Sequence, residues 1–246
     1  MASHGARLHV LRPEYARVRH ALGASAHFRE LPAASLDRLA SIAVVRDVRD
    51  ATILHRSFEP APTMWLVLAG SLRVSWPMPG GNSVTLAVIG EGGYFSVGVF
   101  VEGALISAEC TAAGDTTLAV FEGDALTRLQ GIDPALKQYA PRLMLQLIET
   151  AVSLFADVVS VPLPQRLARR LMTQALASGR NASHSELEIR VSQTDLATML
   201  GASRSKVNAE LRRLEEDGVI RLGYRRLFIR DCARLGQRAG PRVHPL

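Results

Sequence analysis

The sequence predicts an α+β protein built from three successive parts, and three observations support that prediction. Residues 44–121 hold short runs of Val, Ile, Leu and Thr separated by Pro and Gly, which is typical of antiparallel β structure. Residues 134–160 are apolar at helical spacing. Residues 191–231 combine two short helical patterns with a basic hairpin. We expect an antiparallel β sandwich or barrel, a long helix and a small helical domain, in that order.

The domain boundaries follow from changes in composition. At 246 residues the chain is long enough for two domains with separate cores. We predict an N-terminal arm at 1–27, an all-β domain at 28–133, a long helix at 134–160, a hinge at 161–164 and a C-terminal domain at 165–246. The hinge prediction rests on Pro162 and Pro164, because proline interrupts a helix and stiffens a linker.

The long helix is apolar on two sides. One face contains the leucines Leu136, Leu143, Leu147 and Leu154, and a second stripe includes Ile148 and Phe155. A helix with two apolar faces is buried most simply between its own β domain and a second copy of the chain, so we predict a homodimer seam. The alternative is an internal helix of a monomer.

Residues 143–161 are also apolar enough to raise the question of a membrane span. Gln146, Glu149 and Asp157 interrupt the stretch, and charged groups within a bilayer are costly. Arg7, Arg12, Arg17 and Arg19 occur near the start of the chain without an apolar run of signal-peptide length. We therefore predict a cytoplasmic protein with no membrane partner.

The helical patterns after residue 191 have recognisable ends. Ser192, three residues before Asp195, favours a capped helix start, and Gly201 favours its end. Ser203 can cap a second helix whose apolar positions recur at helical spacing. The basic hairpin turns at residues 223–226.

The positive charge of the chain is concentrated in the same region. Residues 160–246 hold 16 of the 29 Lys and Arg residues but 8 of the 23 acidic residues. Such an asymmetry favours a polyphosphate partner, and double-stranded DNA is the one that a helix-turn-helix with a basic hairpin binds. The alternative is a basic surface that only keeps the protein soluble.

The order of parts resembles the cyclic-AMP receptor and fumarate-nitrate regulator (CRP/FNR) superfamily of bacterial transcription factors over residues 28–232. The strongest match is Gly201-Ala-Ser-Arg-Ser-Lys-Val-Asn, with Leu211-Arg-Arg-Leu-Glu and Gly218-Val-Ile behind it. A weaker one is the strand-Gly-strand run at 67–74. The resemblance implies that the β domain is a cyclic-nucleotide-binding-like β-roll (jelly roll) sensor, followed by a long dimerisation helix and a winged helix-turn-helix. It also implies a homodimer that reads an inverted repeat, and RNA polymerase as a partner.

The resemblance and the helix geometry together assign DNA contacts to the second helix. We expect Arg204 to contact guanine, Asn208 to contact adenine and Ser205 to contact base or phosphate. Ala209 occupies a position where the family often has a base-reading arginine, so it leaves a small contact such as a thymine methyl. Phosphate contacts are expected from Ser192, Gln193, Lys206, Arg212, Arg225 and Arg226.

The chain departs from the family in its cyclic-nucleotide cassette. The family binds ribose through a Gly-Glu pair and the cyclic phosphate through an Arg followed by Ser or Thr, and here Phe95-Ser96 and Ile106-Ser107 take those places. We therefore expect that cyclic AMP is not the effector. Cys110 and Cys232 are too few for an iron–sulfur cluster, and no histidine stands out as a haem ligand, so no cofactor is predicted.

Another effector remains an open prediction. A pocket for an apolar or aromatic molecule would be lined by Trp65, Tyr94, Phe95, Ser96, Ile106 and Ser107. The alternative is that these aromatic side chains are core, which leaves the β-roll without a ligand.

The sequence therefore predicts a homodimeric, sequence-specific DNA-binding transcription regulator whose β-roll senses a signal other than cyclic AMP or is ligand-independent. The alternative is a ligand-sensing or protein-interaction module whose winged helix binds protein. The sequence contains no HxH, HExxH, Gly-x-Ser-x-Gly or phosphate-loop pattern, so an enzyme is not predicted.

Overall fold

The computed structural model describes residues 13–81, 83–96, 98–101, 103–177 and 186–241. The helices are α1 (Pro13–Ala24), α2 (Ala33–Ile42), α3 (Gly123–Ile132), α4 (Pro134–Ser160), α5 (Leu163–Ala177), α6 (Gln193–Met199), α7 (Arg204–Glu216) and α8 (Cys232–Ala239). The strands of the first domain are β1 (Val44–Val48), β2 (Ile53–His55), β3 (Glu59–Pro60), β4 (Thr63–Ala69), β5 (Leu72–Pro77), β6 (Ser83–Ile89), β7 (Tyr94–Phe95), β8 (Leu105–Ile106), β9 (Glu109–Ala112) and β10 (Thr116–Glu122). Strands β11 (Leu187–Ile189), β12 (Ile220–Gly223) and β13 (Arg226–Ile229) belong to the C-terminal domain. The predicted α+β class is confirmed.

The β-roll consists of two four-stranded antiparallel sheets with a small two-stranded sheet beside them. Their strand orders are β1-β10-β4-β7 and β2-β9-β5-β6, and β3 pairs with β8. Successive residues of a strand face opposite sides, so Leu118 and Val120 of β10 pack between the two sheets. Ala119 and Phe121 face the helices on the outer side of the first sheet. That sheet is buried on both faces.

The N-terminal segment is more ordered than predicted. Of the expected arm at 1–27, residues 1–12 lie outside the described part of the chain, but α1 forms a helix whose Val18 and Leu22 are buried against the outer face of the first sheet. The prediction of a separate arm is therefore wrong for residues 13–27. The two apolar residues stand four apart among arginines, which is too short a pattern to identify a packed helix from sequence.

Helix α4 has the predicted bounds and changes its surroundings along its length. Asp133 caps it by accepting hydrogen bonds from the amides of Ala135 and Leu136 at 3.0 and 3.3 Å. The first half packs on the β-roll. The whole helix is long and apolar enough by composition to cross a membrane. Its second half leaves these large side chains exposed in the protomer: Leu145, Leu147, Ile148, Val152, Phe155, Val158 and Val159.

The burial of the first half of α4 against the β-roll corrects the predicted dimer seam. Leu136 and Leu143 are 7% and 1% exposed because they fill the core of their own β-roll, so they are not available to a second chain. Leu154 is half-buried and lines a cavity beside the C-terminal domain. Of the four predicted leucines, Leu147 alone is exposed.

The C-terminal domain packs its helices around a three-stranded sheet of order β11-β13-β12. Helix α5 begins at Leu163, inside the predicted hinge at 161–164, because Pro164 falls in the first turn, where no amide hydrogen bond is required. Strand β11 has no counterpart among the elements that the sequence predicts. Residues 178–185 and 242–246 of this predicted domain lie outside the described residues.

Replacing Asp133 by Ala tests the capping of α4. The variant loses two amide hydrogen bonds and the 2.8 Å contact of Arg38 with the second carboxylate oxygen. We expect the free energy of unfolding to fall by about 1–2 kcal/mol in urea denaturation, the usual worth of a helix cap. Asp124→Ala is the matched control, since that acid lies in the first turn of α3. Equal losses in both variants would contradict the assigned role.

Candidate nucleic-acid interface

Helices α6 and α7 form a helix-turn-helix whose ends are set by the predicted residues. Ser192 Oγ accepts a hydrogen bond from the Asp195 amide at 3.0 Å, and Ser203 Oγ accepts one from the Lys206 amide at 3.4 Å. Gly201 makes the turn with a φ of +57°, in the left-handed region that favours glycine. The apolar residues of the two helices that form the core are Leu196, Ala197, Leu200, Val207, Leu211 and Leu214.

Burial of that apolar stripe leaves the polar side of α7 in solvent. The predicted residues Arg204, Ser205, Lys206, Ala209 and Arg212 are all exposed. Asn208 is half-buried, and its Oδ1 accepts a hydrogen bond from Gln193 Nε2 at 3.1 Å. The first helix therefore orients an amide on the second, and the exposed row can meet the edges of bases in a groove.

The hairpin after α7 forms a wing with a two-residue turn at Tyr224 and Arg225. Arg225 adopts a φ of +54°, and Arg226 begins the returning strand. The guanidinium of Arg221 lies 3.8 Å from the centroid of the Phe228 ring, which holds the side chain against the sheet.

A carboxylate ties the wing to the start of β11. Glu186 accepts hydrogen bonds from Arg221 at 2.6 Å and from Arg230 at 2.8 Å. These two guanidinium groups lower the pKa of Glu186 to about 2, so it stays ionised at neutral pH. Two of the wing's arginines are therefore engaged in structure rather than free for a ligand.

The main feature that sequence reasoning missed is the environment of Asp195. Its side chain is 8% exposed and meets the β-roll: Arg73 donates to it at 2.9 and 3.1 Å, and Thr85 donates at 3.0 Å. Ser192 Oγ also donates to the carboxylate at 2.6 Å. Burial favours the neutral acid, but these donors outweigh it and leave the pKa of Asp195 below its ordinary value.

Further contacts join the β5–β6 hairpin to the C-terminal domain. Arg170 Nη2 donates to the Leu86 carbonyl at 3.2 Å, and Gln174 Nε2 donates to the Val88 carbonyl at 3.2 Å. Val88 itself belongs to the core of the C-terminal domain. Burial lowers the pKa of Arg170 to about 10, so it remains a cation at neutral pH. The hairpin is thus packed into the DNA-binding domain.

The predicted effector residues do not form one pocket. Trp65 and Phe95 stack with ring centroids 5.8 Å apart in the core between the sheets, and Ile106 packs against that core. Tyr94, the neighbour of Phe95 in β7, points to the opposite face and meets His27 and Phe28 at 5.0 and 5.5 Å. Its assignment to the effector pocket is therefore wrong.

Ser96 and Ser107 differ in their surroundings. Ser96 is buried with a φ of +78°, and its hydroxyl has no hydrogen-bond partner within the described residues. Ser107 is half-exposed. The centre of the β-roll is occupied by the chain's own aromatic and aliphatic side chains.

Comparison with known proteins agrees with this architecture. A cyclic nucleotide-binding domain matches residues 45–131, and a Crp-like helix-turn-helix domain matches residues 165–238. Together the two matches cover more than half of the chain and both of its domains. The chain belongs to the CRP/FNR superfamily.

Relatives within the superfamily are transcription regulators. The CRP-like cAMP-activated global transcriptional regulator of Mycobacterium tuberculosis is 24% identical over 183 residues, 74% of this chain and 81% of the relative. Transcriptional regulator LdrP of Thermus thermophilus is 29% identical over 201 residues, 79% of this chain and 96% of the relative. The structure of FixK2 from Bradyrhizobium japonicum has a TM-score of 0.66 at 19% identity, covering 79% of this chain and 96% of that one. The chain is thus a CRP-family transcription regulator with a helix-turn-helix DNA-binding domain.

Proposed function

We propose that this CRP/FNR protein is a cytoplasmic homodimer that binds double-stranded DNA at an inverted repeat and regulates transcription through RNA polymerase. The observation that carries the proposal is the exposed polar row of α7 above a fully buried apolar stripe. Such a helix fits the major groove, where each base pair presents a distinct set of donors and acceptors.

Base reading is assigned to the beginning of α7. Arg204 carries the two parallel donors that suit guanine, and the amide of Asn208 suits adenine. Gln193 holds the Asn208 side chain before DNA arrives, which reduces the cost of ordering it on binding. Ser205 and Ala209 complete the base-facing row, whereas Lys206 and Arg212 face the phosphates.

Dimerisation is assigned to the second half of α4. Its exposed apolar side chains form a surface that a second α4 would cover, as in a parallel helix pair. Phe155 and Val159, each 72% exposed, are its most exposed members. A dimer axis along this helix presents two copies of α7 about 34 Å apart, one turn of DNA.

The β-roll responds to a signal other than cyclic AMP in this proposal, and no cofactor is proposed. At the positions that resemble the family's phosphate-binding Arg and ribose-binding Glu, this chain has Ile106 and Ser96. Ile106 packs against Gly98, and Phe95 stacks on Trp65, so the space is apolar and filled. A cyclic phosphate placed there would be desolvated without a cation from either position.

Arg204→Ala tests base reading against Arg212→Ala, which tests phosphate contact. In gel-shift titrations on a genomic site and its single-base variants, Arg204→Ala should lose about 1–3 kcal/mol of discrimination at one base pair of each half-site. Arg212→Ala should weaken binding to all sequences alike. It should also reduce the slope of log affinity against log salt by about 0.9 for each phosphate that is no longer neutralised. Identical behaviour of the two variants would refute the assignment of base reading to Arg204 and phosphate contact to Arg212. Failure of the wild type to bind any duplex would favour a winged helix that binds protein.

Phe155→Glu tests the dimer seam. The variant places a charge at one of the two most exposed positions of the apolar stripe. We expect the dimer dissociation constant to rise at least about tenfold, since burying an unpaired charge costs several kcal/mol. Sedimentation equilibrium measures it. Gln146→Glu adds the same charge at an exposed position of α4 outside that stripe and should leave the dimer intact. A wild type that is already monomeric contradicts the proposal.

Thermal unfolding with added cyclic AMP tests the assignment of the signal. A ligand that binds the folded state raises the melting temperature by mass action. We expect no change for this protein, with the cAMP-activated Mycobacterium tuberculosis relative as the positive control. A rise that grows with cyclic AMP concentration would show that Ile106 and Ser96 do not prevent binding.

A further inference from the structure

Part of the surface assigned to DNA phosphates faces the chain's own β-roll. A cleft of about 400 Å³ separates the two domains, with Arg73, Val88 and Gly114 on the β-roll side and Ser192, Arg225 and Arg226 on the other. Three of the six residues predicted to contact phosphate therefore line an interdomain cleft. The remaining phosphate residues and the base-reading row of α7 lie outside it.

Two contacts hold the cleft closed at its ends. At one end, Arg73 and Thr85 bind the carboxylate of Asp195, three residues beyond Ser192. At the other, Asp50 Oδ2 lies 3.9 Å from Arg225 Nη1 at the tip of the wing. The Gly114 amide donates to Asp50 Oδ1 at 2.7 Å and fixes this acid in place. Asp50 thus places a carboxylate beside Arg225, a residue that the proposed function assigns to DNA phosphates.

In this closed arrangement, a duplex that touched both ends of the motif would bring its polyanionic backbone against the carboxylate of Asp50 and the bulk of the β-roll. The α7 surface stays accessible, so the closed protein can still meet base edges with a reduced set of phosphate contacts. Opening the cleft would free the missing contacts.

We propose that Arg73, Thr85 and Asp50 of the β-roll form an autoinhibitory latch that covers the phosphate-binding flank of the DNA-binding domain while leaving its recognition helix exposed. These polar contacts surround a carboxylate that is 8% exposed, and the β5–β6 hairpin that carries Thr85 also inserts Val88 into the C-terminal core. Opening the cleft therefore has to withdraw this hairpin as well as hydrate Asp195. The inference rests on the proposed DNA-binding function and adds to it a site of regulation within the chain.

The test uses Thr85→Val and Arg73→Ala in the full-length protein. Thr85→Val preserves side-chain shape and charge but removes one hydrogen bond to Asp195. Arg73→Ala removes the ion pair and also one positive charge, which by itself would weaken attraction to DNA. We expect both variants to bind a specific duplex several-fold more tightly than the wild type, with the larger gain for Arg73→Ala.

The salt dependence of binding gives the decisive readout. Each additional phosphate that the protein neutralises should steepen the plot of log affinity against log salt by about 0.9, so the open variants should show a steeper slope than the wild type. Arg46→Ala is the control, because it removes an exposed β-roll cation away from the cleft and should not raise affinity or slope. Thermal unfolding of each variant verifies that the fold is intact.

The possible outcomes distinguish failure of the latch from failure of the proposed DNA-binding function. If the wild type binds DNA and both variants bind with unchanged or lower affinity and the same slope, the latch is overturned and DNA binding stands. If neither the wild type nor the variants bind any duplex in low salt, the proposed function itself fails and the latch fails with it. Tighter binding with a steeper slope, absent from Arg46→Ala, supports the proposal.

Discussion

The structure depends on one carboxylate buried where two domains meet. Asp195 belongs to the first turn of the DNA-binding motif, yet Arg73 and Thr85, two of its partners, come from the β-roll. An ionised carboxylate out of water requires its donors, so the domains cannot separate without hydrating it. Ser192 donates to the same carboxylate while capping α6, which connects the orientation of the domains to the start of the helix-turn-helix.

The surroundings of this contact indicate how a change in the β-roll would reach DNA. The β5–β6 hairpin carries Arg73 and Thr85, and it inserts Val88 into the C-terminal core. The same sheet contributes Leu72 and Val74 to the aromatic core that contains Trp65 and Phe95. One hairpin therefore connects that core to Asp195 directly.

Local features of this chain were predictable from sequence, and contacts between distant residues were not. The caps Ser192 and Ser203 and the full extent of α4 follow from patterns within a few residues, and the structure confirms them. The pairing of Arg73 with Asp195 joins residues 122 positions apart and leaves no local trace. Likewise, alternation within β7 separates Tyr94 from Phe95, and burial of Leu136 and Leu143 in their own β-roll became apparent only from the packing. The helical spacing of α4 identified apolar faces but not which of them the protomer covers itself.

The central claim is that this junction holds the DNA-binding domain against the β-roll. The distance between the wing tip and the β-roll tests it most directly. This distance is measured between spin labels at Arg49→Cys and Tyr224→Cys in a chain that also carries Cys232→Ser. Both labelled positions are exposed, and they flank the Asp50–Arg225 contact. Doubly labelled chains are diluted with unlabelled ones. We predict a short, narrow distance distribution in the free protein that lengthens when a specific duplex is added. A long, broad distribution in the free protein, or one that saturating duplex leaves unchanged, would contradict the account.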